Sequence, residues 1–303
     1  MLDRRMALRL LLGGLAAAGT RPALSAPDDD VGVFWNIEGP SETVGGTAGG
    51  VHGILFGYQR IAAAALPEMV NDGVRFLKTV DHAVIDHPNL SKPVKLPDQL
   101  PPLLPTLRPE LAQQVRAILL AAGLPADKID TLPSMVVLMV LLGEGAPPAE
   151  VTVGGVLFEE AKALGKPVGT LMTEQETQHF LDQMGPDPAA VEAPLTNDTV
   201  SFLLQTRREV GPIGAHCVAL YRDRKTGELH RFADDLGRQS IAPLLWRDPE
   251  AAGRFYIDTL APRIVPALAT GSAFFFINGG TLPSANGVLD RLRKQGARVT
   301  SLA

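Results

Sequence analysis

The apolar positions change period along the chain, and the clearest stretch lies near its far end. Phe274 to Ile277 run unbroken, with no polar alternation, as in a strand covered on both faces. Gly279-Gly280 then reads as a turn, and Ser284 is placed to cap a helix. Val288, Leu289 and Leu292 recur at helical spacing, Gly296 stands where a helix-ending glycine belongs, and Arg298 to Leu302 reads as a last strand. Strand, turn, helix and strand make one α/β unit. Its turn lies at a strand's carboxyl end, where ligands and catalytic groups gather in open α/β sheets.

Earlier segments fit the same plan. Val33 to Ile37 and Ile54 to Phe56 read as strands. The glycine-rich stretch between them, 45–53, lacks the Gly-Lys-Ser/Thr ending of a phosphate loop and reads as a connection. Pro67 opens a helix to about Lys78, with Val70, Val74 and Leu77 as its inner stripe. Val80 to Asp86 is the next strand. The seven prolines in the stretch from His87 through Pro109 mark an irregular crossing. A helix follows from Pro109 to Gly123. Pro133 to Leu142 is apolar all round and too short to span a membrane, so it reads as a buried helix or strand. Val156 to Leu164 is a helix and Lys166 to Leu171 a strand. Thr173-Glu174-Gln175-Glu176 then has the spacing of a capping box, predicting a helix to Met184. Val218 to Phe232, with Lys225-Thr226-Gly227 at its centre, reads as a β-hairpin, and a final long helix covers Ala251 to Thr270. The predicted fold is α/β: a mixed, largely parallel central sheet with flanking helices, plus a small hairpin insertion.

Composition narrows the function. The chain has 303 residues, 46% hydrophobic and 20% charged, which suits a globular α/β protein. Residues 1–26 resemble an export signal: Arg4-Arg5, a weakly hydrophobic Leu/Gly/Ala core, then Ala23-Leu24-Ser25-Ala26 for cleavage. The paired arginines point to twin-arginine export, with a general secretory signal as the alternative. A single domain over 27–303, periplasmic or secreted from a bacterium, is expected. That part carries 24 basic and 32 acidic residues, which argues against a nucleic-acid partner. It shows no apolar run of about 18 residues, so no transmembrane span is expected. Cys217 is the one cysteine, which excludes an internal disulfide and a cysteine-based metal site. Asp81-His82 and Asp86-His87 suggest metal ligands, but strand alternation sends each pair to opposite faces.

Several motifs, in order, resemble the TraB/GumN family, which includes the Tiki-type membrane metalloproteases. Trp35 and Gly57 match a Trp-bearing strand and the start of Gly-x-x-His. Ala161, Leu164, Gly165, Lys166, Pro167, Val168, Leu171, Thr173 and Gln178 match a central block. Leu260 to Ile264 match the late helix, and Leu282, Pro283, Gly287, Val288, Leu289 and Gly296 match the terminal signature. The resemblance implies a TraB/Tiki and erythromycin-esterase-like fold, and a metal held by two histidines and a glutamate. Those histidine positions are Arg60 and Thr281 here; the second motif's glycine is Asn278. The glutamates are Asp86 and Met172, and an Arg-Asn pair falls on Tyr256-Ile257. Arginine is a permanent cation with no lone pair for a metal. The implied protein is therefore catalytically degenerate and without cofactor, binding an unknown protein or small molecule in the old cleft through Tyr58, Arg60, Asp86, Gln178 and Thr281. The alternative is a metal-dependent hydrolase or peptidase whose divalent metal sits on relocated groups, His52, Asp86 and Glu174.

Overall fold

The computed structural model describes residues 31–39, 52–59, 61–86, 101–147, 151–185, 195–238, 247–283 and 286–302. Residues 1–26, Arg60, His87 and Ser284 lie outside them.

The fold is α/β. Six strands, β1 (Phe34–Glu38), β2 (His52–Tyr58), β3 (His82–Ile85), β4 (Val168–Thr170), β5 (Ala273–Asn278) and β6 (Arg298–Leu302), form one sheet in the order β4-β3-β5-β2-β1-β6. β2, β3, β4 and β5 are parallel to their neighbours in that group, while β1 is antiparallel to both β2 and β6. Five strands thus share a direction and β1 alone opposes them. The unbroken apolar run is the middle strand β5, buried at all six positions.

Alternation along the strands feeds two cores. Phe34, Phe56, Phe274 and Phe276 share one face, with Phe34 stacked on Phe56 at 5.0 Å and Phe274 against Phe276 at 4.9 Å. Trp35, Ile37, Leu55, Phe275 and Ile277 share the other. Each such buried side chain contributes about 1.5–3 kcal/mol of transfer free energy. The first face is covered by α1 (Pro67–Leu77), α4 (Val153–Ala163) and the buried Leu220, Tyr221 and Leu229. The second is covered by α2 (Pro109–Ala121), α3 (Ser134–Gly143), α5 (Glu174–Met184), α6 (Asn197–Val210), α9 (Pro249–Ala267) and α10 (Val288–Lys294). No helix among the described residues is long and apolar enough to cross a membrane.

Three expectations are corrected. The segment 218–232 is not a hairpin: it falls within two helices, α7 (Ile213–Arg222) and α8 (Thr226–Leu236). The reversal comes at Asp223-Arg224, where Arg224 takes a left-handed φ of 58°, and Gly227 lies inside the first turn of α8. The inner stripe of α1 is Met69, Gly73 and Leu77, rotated from the expected valines. The helix expected from Val156 starts at Val153, because Thr152 caps it by accepting from the Gly155 N–H. The capping box is present as read: the Thr173 hydroxyl accepts from the Glu176 N–H, and the Glu176 carboxylate from the Thr173 N–H.

Candidate functional site

The carboxyl ends of β2, β3 and β5 meet at Asp86. This residue follows β3 and prolongs its ladder, donating its N–H to the Phe276 carbonyl (3.0 Å) and accepting from the Met172 N–H (3.0 Å). Its side chain is 2% exposed, so its charge must be met by donors. Three converge on Oδ2: the Tyr58 hydroxyl at 2.9 Å, the Asn278 N–H at 3.0 Å and the Tyr256 hydroxyl. Burial first, and then the neighbouring Asp86 charge, push the Tyr256 phenol well above its ordinary range. It therefore stays protonated and remains a donor.

The turn after β5 is closed on itself. The Asn278 side chain accepts from the Gly280 N–H (2.9 Å), and the Thr281 hydroxyl, on a residue 2% exposed, donates to the Asn278 carbonyl (2.8 Å). This turn presses on the end of β2. A Cβ on Gly57 would stand 2.7 Å from Leu282 and 3.4 Å from the Gly279 Cα, and one on Gly279 would stand 3.0 Å from the Gly57 carbonyl. Both glycines permit a backbone-to-backbone approach that a side chain would block.

The helical pair α7–α8 lies over this end of the sheet. Four of its side chains donate to carbonyls there: Tyr221 to Gly57 (2.7 Å), Thr226 to Gly32 (2.7 Å), Arg224 to Leu302 (3.3 Å), and His230 to Gly280. Tyr221 also accepts from the Gln59 backbone.

Of the predicted site residues, Tyr58, Asp86, Asn278 and Thr281 come together, with Gly57 beside them. Met172 is a core side chain. Gln178 is corrected: it sits on the exposed side of α5 and donates to Asp182 (2.7 Å). The set His52, Asp86 and Glu174 is corrected as well. His52 opens β2 whereas Asp86 follows β3, and their registers against β5 place them five steps apart, or about 16 Å along the strands. Asp81 is taken by Ser272, whose N–H and hydroxyl donate to it at 2.8 and 2.7 Å. Among the described residues no three His, Cys, Asp or Glu gather as metal ligands. The metal that the resemblance implies does not fit the groups at its positions: Thr281 and the Asn278 amide are spent within the turn, and the one carboxylate already accepts three hydrogen bonds. Cys217 lies on α7, its thiol pushed up to about 11 by burial, which leaves it a poor nucleophile beside His216.

Tyr256, Tyr221 and His230 were missed as site residues. Tyr256 stands in the sequence only as a position unmatched to the family, and the other two lie in the segment whose turn residues suggest a hairpin. The signal available was a polar aromatic group at a helix-spaced apolar position.

A clamp stands beside the cluster. Arg263 of α9 donates to both carboxylate oxygens of Glu176 (2.6 and 2.9 Å) and to the Leu171 carbonyl (2.5 Å). These bonds, then the Thr173 N–H, pull Glu176 down to about 2. A depressed carboxylate stabilises the fold above its ordinary value of 4.5 and loses that contribution as pH falls toward 2. The urea midpoint of Glu176→Gln is therefore expected to lie below that of the parent at pH 6, with the gap closing between pH 4.5 and 2. A gap independent of pH would refute the clamp. Both partners are about one-third exposed or more, so solvent screens much of the effect.

Comparison of the chain with known protein families, curated proteins and solved structures finds no match.

Proposed function

We propose that this chain is a TraB/GumN-like protein that works outside the cytoplasm as a binding or regulatory component and does not hydrolyse substrate. The observation that carries the reading is the use made of the positions where the family's chemistry belongs. Asp86 accepts from Tyr58, Tyr256 and the Asn278 N–H at one carboxylate oxygen. A carboxylate so engaged can take a metal only by giving up donors in a buried place. Thr281 and Asn278 hold a turn. Tyr58 is half-buried and keeps an edge from which a ligand can be felt at Asp86. The ordered Leu-Pro, Gly-Val-Leu and Leu-Gly-Lys-Pro-Val motifs support the family, and the paired arginines at 4–5 support export.

The experiment is metal analysis of protein purified without chelators and then offered Zn²⁺, Mn²⁺ and Co²⁺, with peptide hydrolysis assayed in parallel. Less than stoichiometric metal and no metal-dependent cleavage are expected. One tightly bound metal together with cleavage would replace this reading with a TraB/Tiki-type hydrolase whose ligands lie elsewhere.

A further inference from the structure

His230 is buried, 8% exposed, on the inner side of α8. Its Nδ1 has no hydrogen-bond partner among the described residues, so the bond to the Gly280 carbonyl is made by the Nε2 N–H. The ring is thus held as one neutral tautomer. The other fasteners of the α7–α8 pair, from Tyr221, Thr226 and Arg224, are donors that keep their protons across the neutral and mildly acid range.

We propose that α7–α8 is an acid-released cover over the carboxyl end of the sheet, with His230 as its trigger. A proton on Nδ1 would create a second N–H donor facing no acceptor, and a cation buried in the interface. Both penalties vanish when the pair lifts and the ring meets water. The charged surroundings add to the penalty. Arg231 on the same helix and Arg238 just past its end both disfavour a second cation, and Asp234, one turn on, is paired with Arg238 at 3.2 Å. From α7, the neighbouring titratable groups are His216, Cys217 and Tyr221, the last two held neutral by burial. The Gly279–Thr281 turn contributes none. From α1, Asp72 pairs with Arg224 at 2.6 Å.

Burial lowers His230 from 6.5 to about 4. The group is favoured neutral in the closed form, so closure is fully supported above pH 6.5 and weakens as pH falls toward 4. Linkage gives about a 30-fold rise in the opening constant between pH 8 and pH 5. The inference rests on the cover's contacts and goes beyond the proposed function, so it stands or falls separately from the family assignment.

The test is hydrogen exchange by mass spectrometry on the purified protein from pH 8 to 4.5, corrected for intrinsic rates. Peptides from 213–236 are expected to lose protection about 30-fold by pH 5, while peptides from β5 stay protected. His230→Gln keeps a donor and cannot be protonated, so its exchange at 213–236 is expected to be flat with pH. The same acid response in His230→Gln would overturn the proposal. Parallel loss of protection in β5 would also overturn it, as global unfolding. Should the variant fail to fold, NMR titration of the parent's imidazole decides: a ring neutral down to about pH 4 supports the trigger, and titration near 6.5 overturns it.

Discussion

Asp86→Ala is expected to lower the free energy of unfolding by about 3–5 kcal/mol, and Asp86→Asn by about 1–2 kcal/mol, read as shifts of the urea midpoint at constant slope. The difference follows from what each change leaves behind. Alanine removes the acceptor on which the Tyr58 hydroxyl, the Tyr256 hydroxyl and the Asn278 N–H converge. Tyr256 and Asn278 are buried, so their donors lose their partner where water does not replace it. Asparagine keeps an oxygen in place and loses only the charge, which about halves the strength of each bond. Equal costs for the two variants would mean that these donors find other acceptors. A cost below about 1 kcal/mol for alanine would remove Asp86 as the organiser of the site.

Gly214→Ala is expected to cost about 2–3 kcal/mol, although alanine is the better helix former by about 1 kcal/mol. Gly214 lies in the first turn of α7, against the end of α3. A Cβ there would lie 2.7 Å from the Gly143 carbonyl carbon, 2.8 Å from its oxygen and 2.9 Å from the Glu144 oxygen. These are backbone atoms, and they cannot swing aside. The same point is tied by the Ala215 N–H to the Glu144 carbonyl (3.0 Å), and by Arg207 to both Glu144 carboxylate oxygens (2.5 and 2.7 Å). Opposed signs make the thermal midpoint a clean readout. A raised midpoint would show that propensity wins and that α3 and α7 are not in close contact. A lowered one locates the seat of the cover.

Local chemistry explains which parts of this fold could be read from the chain. Thr173-x-x-Glu176 states its own structure, because both hydrogen bonds of the capping box lie within four residues. The run Phe274 to Ile277 could be read as a doubly covered strand because it is short, aromatic-rich and closed by Gly279-Gly280. The segment 218–232 misled because Lys225-Thr226-Gly227 carries turn residues, while the true reversal uses Arg224 in a left-handed conformation that its residue type does not announce. Of the site, Asp86 was legible as a strand-end residue, and Tyr58 only through its place beside Gly57 in the motif that resembles the family's. Tyr256 was not: its hydroxyl reaches Asp86 across 170 positions, and only the packing of α9 against the sheet brings it there. The tyrosine and histidine of the cover are illegible for the same reason, since each is bound to a backbone carbonyl, which has no signature in the sequence.

The lone opposing strand has a kinetic consequence. β1 is held between β2 and β6, with Phe34 facing Phe56 on one side and Leu302 on the other. The chain that makes Phe34 must therefore wait for residue 302 before that strand has both of its neighbours. β2 likewise waits for β5. Pairings between such distant segments require long loops to close before any contact rewards them, so folding is slow and late. Until then the Phe34–Phe56 surface is an open edge, and a nascent chain of this topology needs protection from its own kind throughout synthesis.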